Sequence, residues 1–120
     1  MLSENSVVSI RFADEFEENV YRLSKRFRNI RKDIVSVIEQ IQAGNFVGDR
    51  LAGLGEDYFV VKVRVKNSNI QKGKSAGYRL VYQVESAVSV LLLTIYSKSD
   101  RDDISASEVL DILASIFDGE

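Results

Sequence analysis

The sequence predicts an α+β fold, with a helical hairpin packed on a small, mostly antiparallel four-stranded sheet in the order βααβββα. Three observations predict it. Phe16, Val20, Leu23 and Phe27, then Ile30, Ile34, Val37, Ile38 and Ile41, form two apolar stripes at helical spacing. Residues 58–66 alternate apolar and cationic side chains with a period of two, and residues 88–96 are apolar on both faces, as a central strand would be. Ser105-Ala106-Ser107-Glu108 is a capping box opening a last helix.

The elements follow in order. Residues 6–12 alternate, with Val8, Ile10 and Phe12 on one side, and read as a short strand. Asp14 is placed to cap the first helix, Asn29 to break it, and Gly44 to end the second. Residues 45–56 read as a glycine-punctuated loop with two apolar anchors, Leu51 and Leu54. In the strand over 58–66, Phe59, Val61, Val63 and Val65 face one way and Lys62, Arg64 and Lys66 the other. Residues 67–76 form a polar loop. The strand over 77–85 turns Tyr78, Leu80, Tyr82 and Val84 inward and Arg79 outward. After the central strand, Ile104 is placed to staple onto Val109, and the last helix carries Val109, Ile112, Leu113, Ile116 and Phe117 toward the core.

Residues 1–120 read as a single domain, large enough to hide roughly two-thirds of its unfolded surface. The chain has no cysteine, which excludes a disulfide framework and thiolate chemistry, and no histidine, which removes the commonest general base and metal ligand. No metal and no cofactor are expected. The longest wholly apolar run is too short to span a membrane. No basic segment precedes an apolar one near Glu4, so no signal peptide is expected and the location is read as cytoplasmic.

The net charge of −2 conceals a strong asymmetry. Residues 58–98 hold Lys62, Arg64, Lys66, Lys72, Lys74, Arg79 and Lys98 against one acid, Glu85. From Asp100 onward there are seven acids and only Arg101. Alternate strand residues stand about 6–7 Å apart and point the same way, so Lys62, Arg64 and Lys66 suit successive phosphates of a nucleic-acid backbone. They equally suit the solvated outer face of a sheet. Arg79 on the same face of the next strand, and Lys98 at the end of the one after, favour the phosphate reading.

The remaining motifs are weaker. Lys72-Gly73-Lys74-Ser75 copies the end of a Walker motif, but Ser68 stands where that motif needs glycine and a strand follows where it needs a helix. The segment reads as a hairpin loop whose two lysines can clamp nucleic acid. Asp100, Asp102 and Asp103 lack the glycine of a calcium loop, since Ser105 stands there, and their place before a helix N-terminus is where negative charge is favoured. Tyr78 and Tyr82 share the apolar parity of their strand and read as core, whereas Tyr96 shares the parity of Lys98 and borders the cationic face. Arg22, Lys25, Arg26, Arg28, Arg31 and Lys32 crowd the turn between the helices, as solvated charge or as a dock for a polyanion.

Lys74-Ser75-Ala76-Gly77-Tyr78-Arg79-Leu80-Val81-Tyr82, with Lys62-Val63-Arg64-Val65 upstream and Leu93-Thr94-Ile95-Tyr96-Ser97-Lys98-Ser99-Asp100 downstream, resembles the RelE/ParE superfamily of toxins from bacterial type II toxin–antitoxin modules. The resemblance is closest to the RelE and HigB-like branch, and the order of elements agrees over nearly the whole chain. It implies a metal-independent endoribonuclease, an mRNA interferase, that enters the ribosomal 30S A site and cuts translated mRNA by attack of a ribose 2′-OH on the adjacent phosphate.

Carried over by position, the resemblance implies that Lys62, Arg64, Arg79 and Lys98 neutralise charge at the phosphate. A tyrosine or lysine moves protons. RelE has a further arginine and a C-terminal tyrosine where this chain places Ser99 and Ser105, so Tyr96 or Lys98 is the substitute. Lys66, Lys72 and Lys74 are the implied RNA-binding residues. The implied partners are a cognate antitoxin, mRNA on the ribosome, and operator DNA through the antitoxin only. Two alternatives stand beside it: a ParE-like inhibitor of DNA gyrase, a branch that generally lacks the full basic constellation, and a degenerate module that binds antitoxin or RNA without catalysis.

Overall fold

Alternation in the middle of the chain builds a sheet that is covered on both faces. The computed structural model describes residues 7–70 and 76–118, with β1 (Ser9–Phe12), α1 (Asp14–Ser24), α2 (Ile30–Gln42), β2 (Asp49–Arg50), β3 (Val60–Val65), β4 (Tyr78–Ser86), β5 (Ser89–Ser97) and α3 (Ala106–Asp118). The α+β class stands and the sheet is mostly antiparallel, but it corrects the expectation of four strands. It has five strands in the order β1-β5-β4-β3-β2. β1 runs parallel to β5, while the other neighbours are antiparallel. The unexpected strand is β2, where Asp49 and Arg50 pair with Lys62 and Val61. Two residues carry no readable period, so β2 is indistinguishable from loop in the sequence.

The helical hairpin fills one face. Phe16, Val20 and Leu23 of α1 and Ile30, Ile34, Val37 and Ile41 of α2 pack with Val61, Val63 and Val65 of β3 and Tyr78, Leu80, Tyr82 and Val84 of β4. Tyr78 and Tyr82 are fully buried, as their parity required. α1 begins at Asp14 rather than being capped by it, and Asn29 precedes α2 rather than ending α1. α2 closes at Gly44, whose φ of 90° is the left-handed conformation glycine adopts without strain.

The other face has a core of its own. Val60, Val81, Leu91, Leu93 and Tyr96 of the sheet pack with Leu54, Ile104, Val109, Ile112 and Leu113. β5 is therefore buried on both sides, which explains its unbroken apolar run. Ser105 Oγ accepts from Glu108 N–H and Glu108 Oε1 accepts from Ser105 N–H, each at 3.1 Å, which completes the capping box at the start of α3. The Phe117 side chain lies outside the described residues. Phe59, expected inward, lies before β3 at 40% exposure, with the Arg50 guanidinium 4.4 Å from its ring centre. No helix among the described residues is long and apolar enough to cross a membrane.

Candidate nucleic-acid interface

Strand register assembles the site. Arg64 of β3 pairs with Arg79 of β4, and Arg79 pairs with Tyr96 of β5. Paired residues share a face, so Arg64, Arg79 and Tyr96 form a row across three strands spaced about 4.8 Å apart. Lys62 lies two residues before Arg64, and Lys98 two residues after Tyr96. The Lys98 N–H donates to the Gly77 carbonyl at 2.9 Å, which holds the end of β5 against the start of β4.

These residues open onto a groove of about 330 Å³ lined by Lys62, Arg64, Arg79 and Lys98, by Asp49, Arg50, Leu51 and Ala52 from β2 and the loop after it, and by Asp102 and Asp103. The sheet face is thus divided. One part is roofed by α3 and its apolar partners, and the part beyond is cationic. The expectation of a single outward basic face holds only for this second part, because Val60, at the parity of Lys62, is fully buried.

The groove is mixed in charge. Lys62 Nζ lies 2.5 Å from Asp103 Oδ1. Lys98 Nζ lies 3.5 Å from Asp102 Oδ1 and donates to the Asp102 carbonyl at 2.8 Å. Arg64 is exposed and makes no ion pair with a described residue. Arg79 is 6% exposed and donates from Nη1 to the Tyr78 carbonyl at 3.2 Å. Asp103 is held below the usual carboxylate range, first by its hydrogen bond from Lys62 and then by the Ile104 N–H.

Tyr96 is 7% exposed, and its hydroxyl finds no hydrogen-bond partner among the described residues. Burial pushes its pKa up to about 12, with the nearby Asp103 charge adding to the rise and Arg79 and Arg101 opposing it. The hydroxyl is therefore protonated at neutral pH, and it is sealed from solvent within the second core. Arg101 covers the Tyr96 ring at 5.2 Å, donates from Nε to the Asp103 carbonyl at 3.0 Å and binds both Glu108 oxygens at 2.7 Å. This arginine ties the 100–103 segment to the first turn of α3.

Of the residues singled out in the sequence, the fold brings together Lys62, Arg64, Arg79 and Lys98, with Tyr96 beside them. Lys66 does not join them. It lines an adjoining groove with Lys32, Asp33 and Arg64, so Arg64 borders both. Lys72 and Lys74 lie outside the described residues. Sequence reasoning missed β2 at the groove's edge, where Asp49 pairs with Lys62 and shares its face, while Arg50 pairs with Val61 and lays its guanidinium on Phe59. Asp100 was assigned to the helix start and instead binds Arg26 of the hairpin turn at 2.7 Å. Among the described residues, no group of three or more His, Cys, Asp or Glu side chains is placed to hold a metal ion. No protein-family model matches the chain and no curated protein matches it significantly, so the likeness to RelE and its relatives rests on the motifs themselves.

Proposed function

We propose that the groove binds the phosphate backbone of RNA and that the protein is the toxin of a type II toxin–antitoxin module, a ribosome-dependent endoribonuclease. One observation carries the reading: four cations from neighbouring strands and their ends, Lys62, Arg64, Arg79 and Lys98, converge on a single groove. Strand geometry spaces them for consecutive phosphates, and positioned cations stabilise a phosphorane-like transition state most where its charge develops.

In the reaction, the ribose 2′-oxygen bonds to phosphorus as its proton leaves, the bond from phosphorus to the 5′-oxygen breaks, and the leaving oxygen gains a proton. The products are a 2′,3′-cyclic phosphate and a 5′-hydroxyl. Arg64 and Arg79, adjacent in register, are the residues placed to hold the non-bridging oxygens. Tyr96, protonated at neutral pH, is the candidate donor to the leaving oxygen, a role that requires Arg101 to move off its ring and uncover the hydroxyl. A cognate antitoxin, and mRNA in the ribosomal A site, are the partners this reading requires.

Expression in bacteria tests it. Growth should arrest, with transcripts cut at codon-aligned positions, and Arg64→Ala should abolish both. Growth arrest with intact mRNA sinks the nuclease reading. A second reading, a module that binds RNA or antitoxin without cutting, is favoured by the pairing of Lys62 and Lys98 with the chain's own carboxylates. It requires RNA binding without cleavage products and without toxicity.

A further inference from the structure

The ion pairs of the groove have a consistent asymmetry. The Lys62 side chain is 24% exposed against 64% for Asp103, and Lys98 is 33% exposed against 95% for Asp102. In both, the sheet fixes the cation and the solvent-exposed partner is the anion. The pair across β1 and β4 is the opposite: Arg11 is 54% exposed and Glu85 28%. The 100–103 segment also reaches the other basic region of the molecule, through Asp100 and Arg26. Three carboxylates within four residues thus lie on cations of the hairpin turn and of the groove.

We propose that residues 100–103 are a displaceable acidic cover, seated where RNA phosphates bind and competing with them for Lys62 and Lys98. This rests on the RNA reading of the groove. The cover is tethered from within by Arg101, clamped to Glu108 at the start of α3, while the Asp102 and Asp103 carboxylates that meet the lysines are exposed and can lift from them without unfolding the helix. Exposed ion pairs are individually weak. A polyanion presenting several phosphates at once displaces them, whereas a single small anion meets an occupied groove. The cover therefore selects for length of anion.

The test compares the double variant Asp102→Asn/Asp103→Asn with Glu15→Gln/Glu18→Gln, which removes the same charge from α1 on the opposite side of the sheet. Binding of a single-stranded RNA oligonucleotide is read by fluorescence anisotropy, and retention on heparin by the salt needed for elution. The cover variant should bind RNA about 2- to 30-fold more tightly than wild type, the range two exposed pairs withhold, and should elute later from heparin. The α1 variant should gain markedly less. In a Lys62→Ala background, the Asp103→Asn gain should disappear.

Equal gains for the two double variants, or an Asp103→Asn gain that survives Lys62→Ala, overturn the cover. Later heparin elution that depends on Lys62, with no RNA binding by any variant, supports the cover and sinks the RNA reading, so the two failures are told apart.

Discussion

Gly77→Ala should destabilise the protein strongly, although its backbone is in no unusual conformation. A Cβ there would lie 2.1 Å from the Val65 carbonyl oxygen and 3.0 Å from the Asn67 nitrogen. Carbon and carbonyl oxygen approach no closer than about 3.3 Å without strain, so β3 and β4 must part by about 1 Å. Both obstacles are backbone, and no side chain can swing aside. Overpacking of this kind costs about 1–3 kcal/mol, and rigid backbone on both sides places it near the upper end. For a chain of this size that is roughly a 10 °C fall in Tm. The contrast is Gly44→Ala, where φ is 90° and nothing lies within 4 Å of the new methyl. There the cost is conformational alone, about 1 kcal/mol, or a few degrees. Thermal melts followed by circular dichroism read both. The damage at Gly77 should also reach the groove, since its carbonyl holds the Lys98 N–H and Arg79 follows two residues later, so RNA affinity should fall below 25 °C where the variant is still folded. A Gly77→Ala melt within 2 °C of wild type, or one milder than Gly44→Ala, refutes the close-approach account.

Arg64→Ala should leave Tm within error, because the side chain is exposed, and should flatten the slope of log affinity against log salt by about 0.7 for single-stranded RNA, the loss of one phosphate contact. An unchanged slope removes Arg64 from the interface. Tyr96→Phe should preserve folding and RNA affinity, since the lost hydroxyl has no hydrogen-bond partner among the described residues. If the hydroxyl donates the proton, single-turnover cleavage drops by about 10²- to 10⁴-fold; unchanged cleavage makes Tyr96 core and nothing more. Asp103 and Glu108 both titrate below their ordinary values of 3.8 and 4.5, mainly through hydrogen bonds from Lys62 and Arg101 respectively. The unfolded chain therefore takes up these protons first as pH falls. Their contribution to stability is complete above about pH 4.5 and is lost as pH falls through the folded values. Urea melts from pH 6 to pH 3 should show this decline, and Asp103→Asn should make it shallower; a parallel curve for that variant dismisses the Lys62 pair as a source of stability.

What the sequence made legible follows from repetition. Stripes such as Ile30, Ile34, Val37 and Ile41 restate one helix face several times, and Val61, Val63 and Val65 restate one strand face, so burial pattern and position were readable together. The capping box was readable because its two halves are local. β2 was not, because two residues cannot show a period, and Asp49, which shares the face of Lys62, was lost with it. Nor was the parallel pairing of β1 with β5, whose Ser9 and Ser89 partners are eighty residues apart with nothing in either strand to declare direction. For the site, Arg64, Arg79 and Lys98 were legible from parity alone. Their carboxylate partners were not, since Asp102 and Asp103 sit in an irregular segment where parity gives no direction, and helix-end charge offered a sufficient local explanation.

The same patterning that fixes the fold also fixes the charge row. Slipping β3 by one residue against β4 would turn Lys62 and Arg64 into the helix-covered core and Val61 and Val63 into water. The penalty for that slip is the burial of two cations without partners, far above the stability of a domain of this size. The relative placement of Arg64, Arg79 and Tyr96 is consequently guaranteed by the hydrophobic residues between them. Lys98 lacks this guarantee, because it stands where regular pairing ends and is positioned by the Gly77 carbonyl and by Asp102. The groove thus has a rigid centre on β3, β4 and β5 and a softer end. A polymer that must be gripped at several phosphates but strained at only one requires that division, because precision is needed at the bond that breaks and tolerance at the contacts beside it.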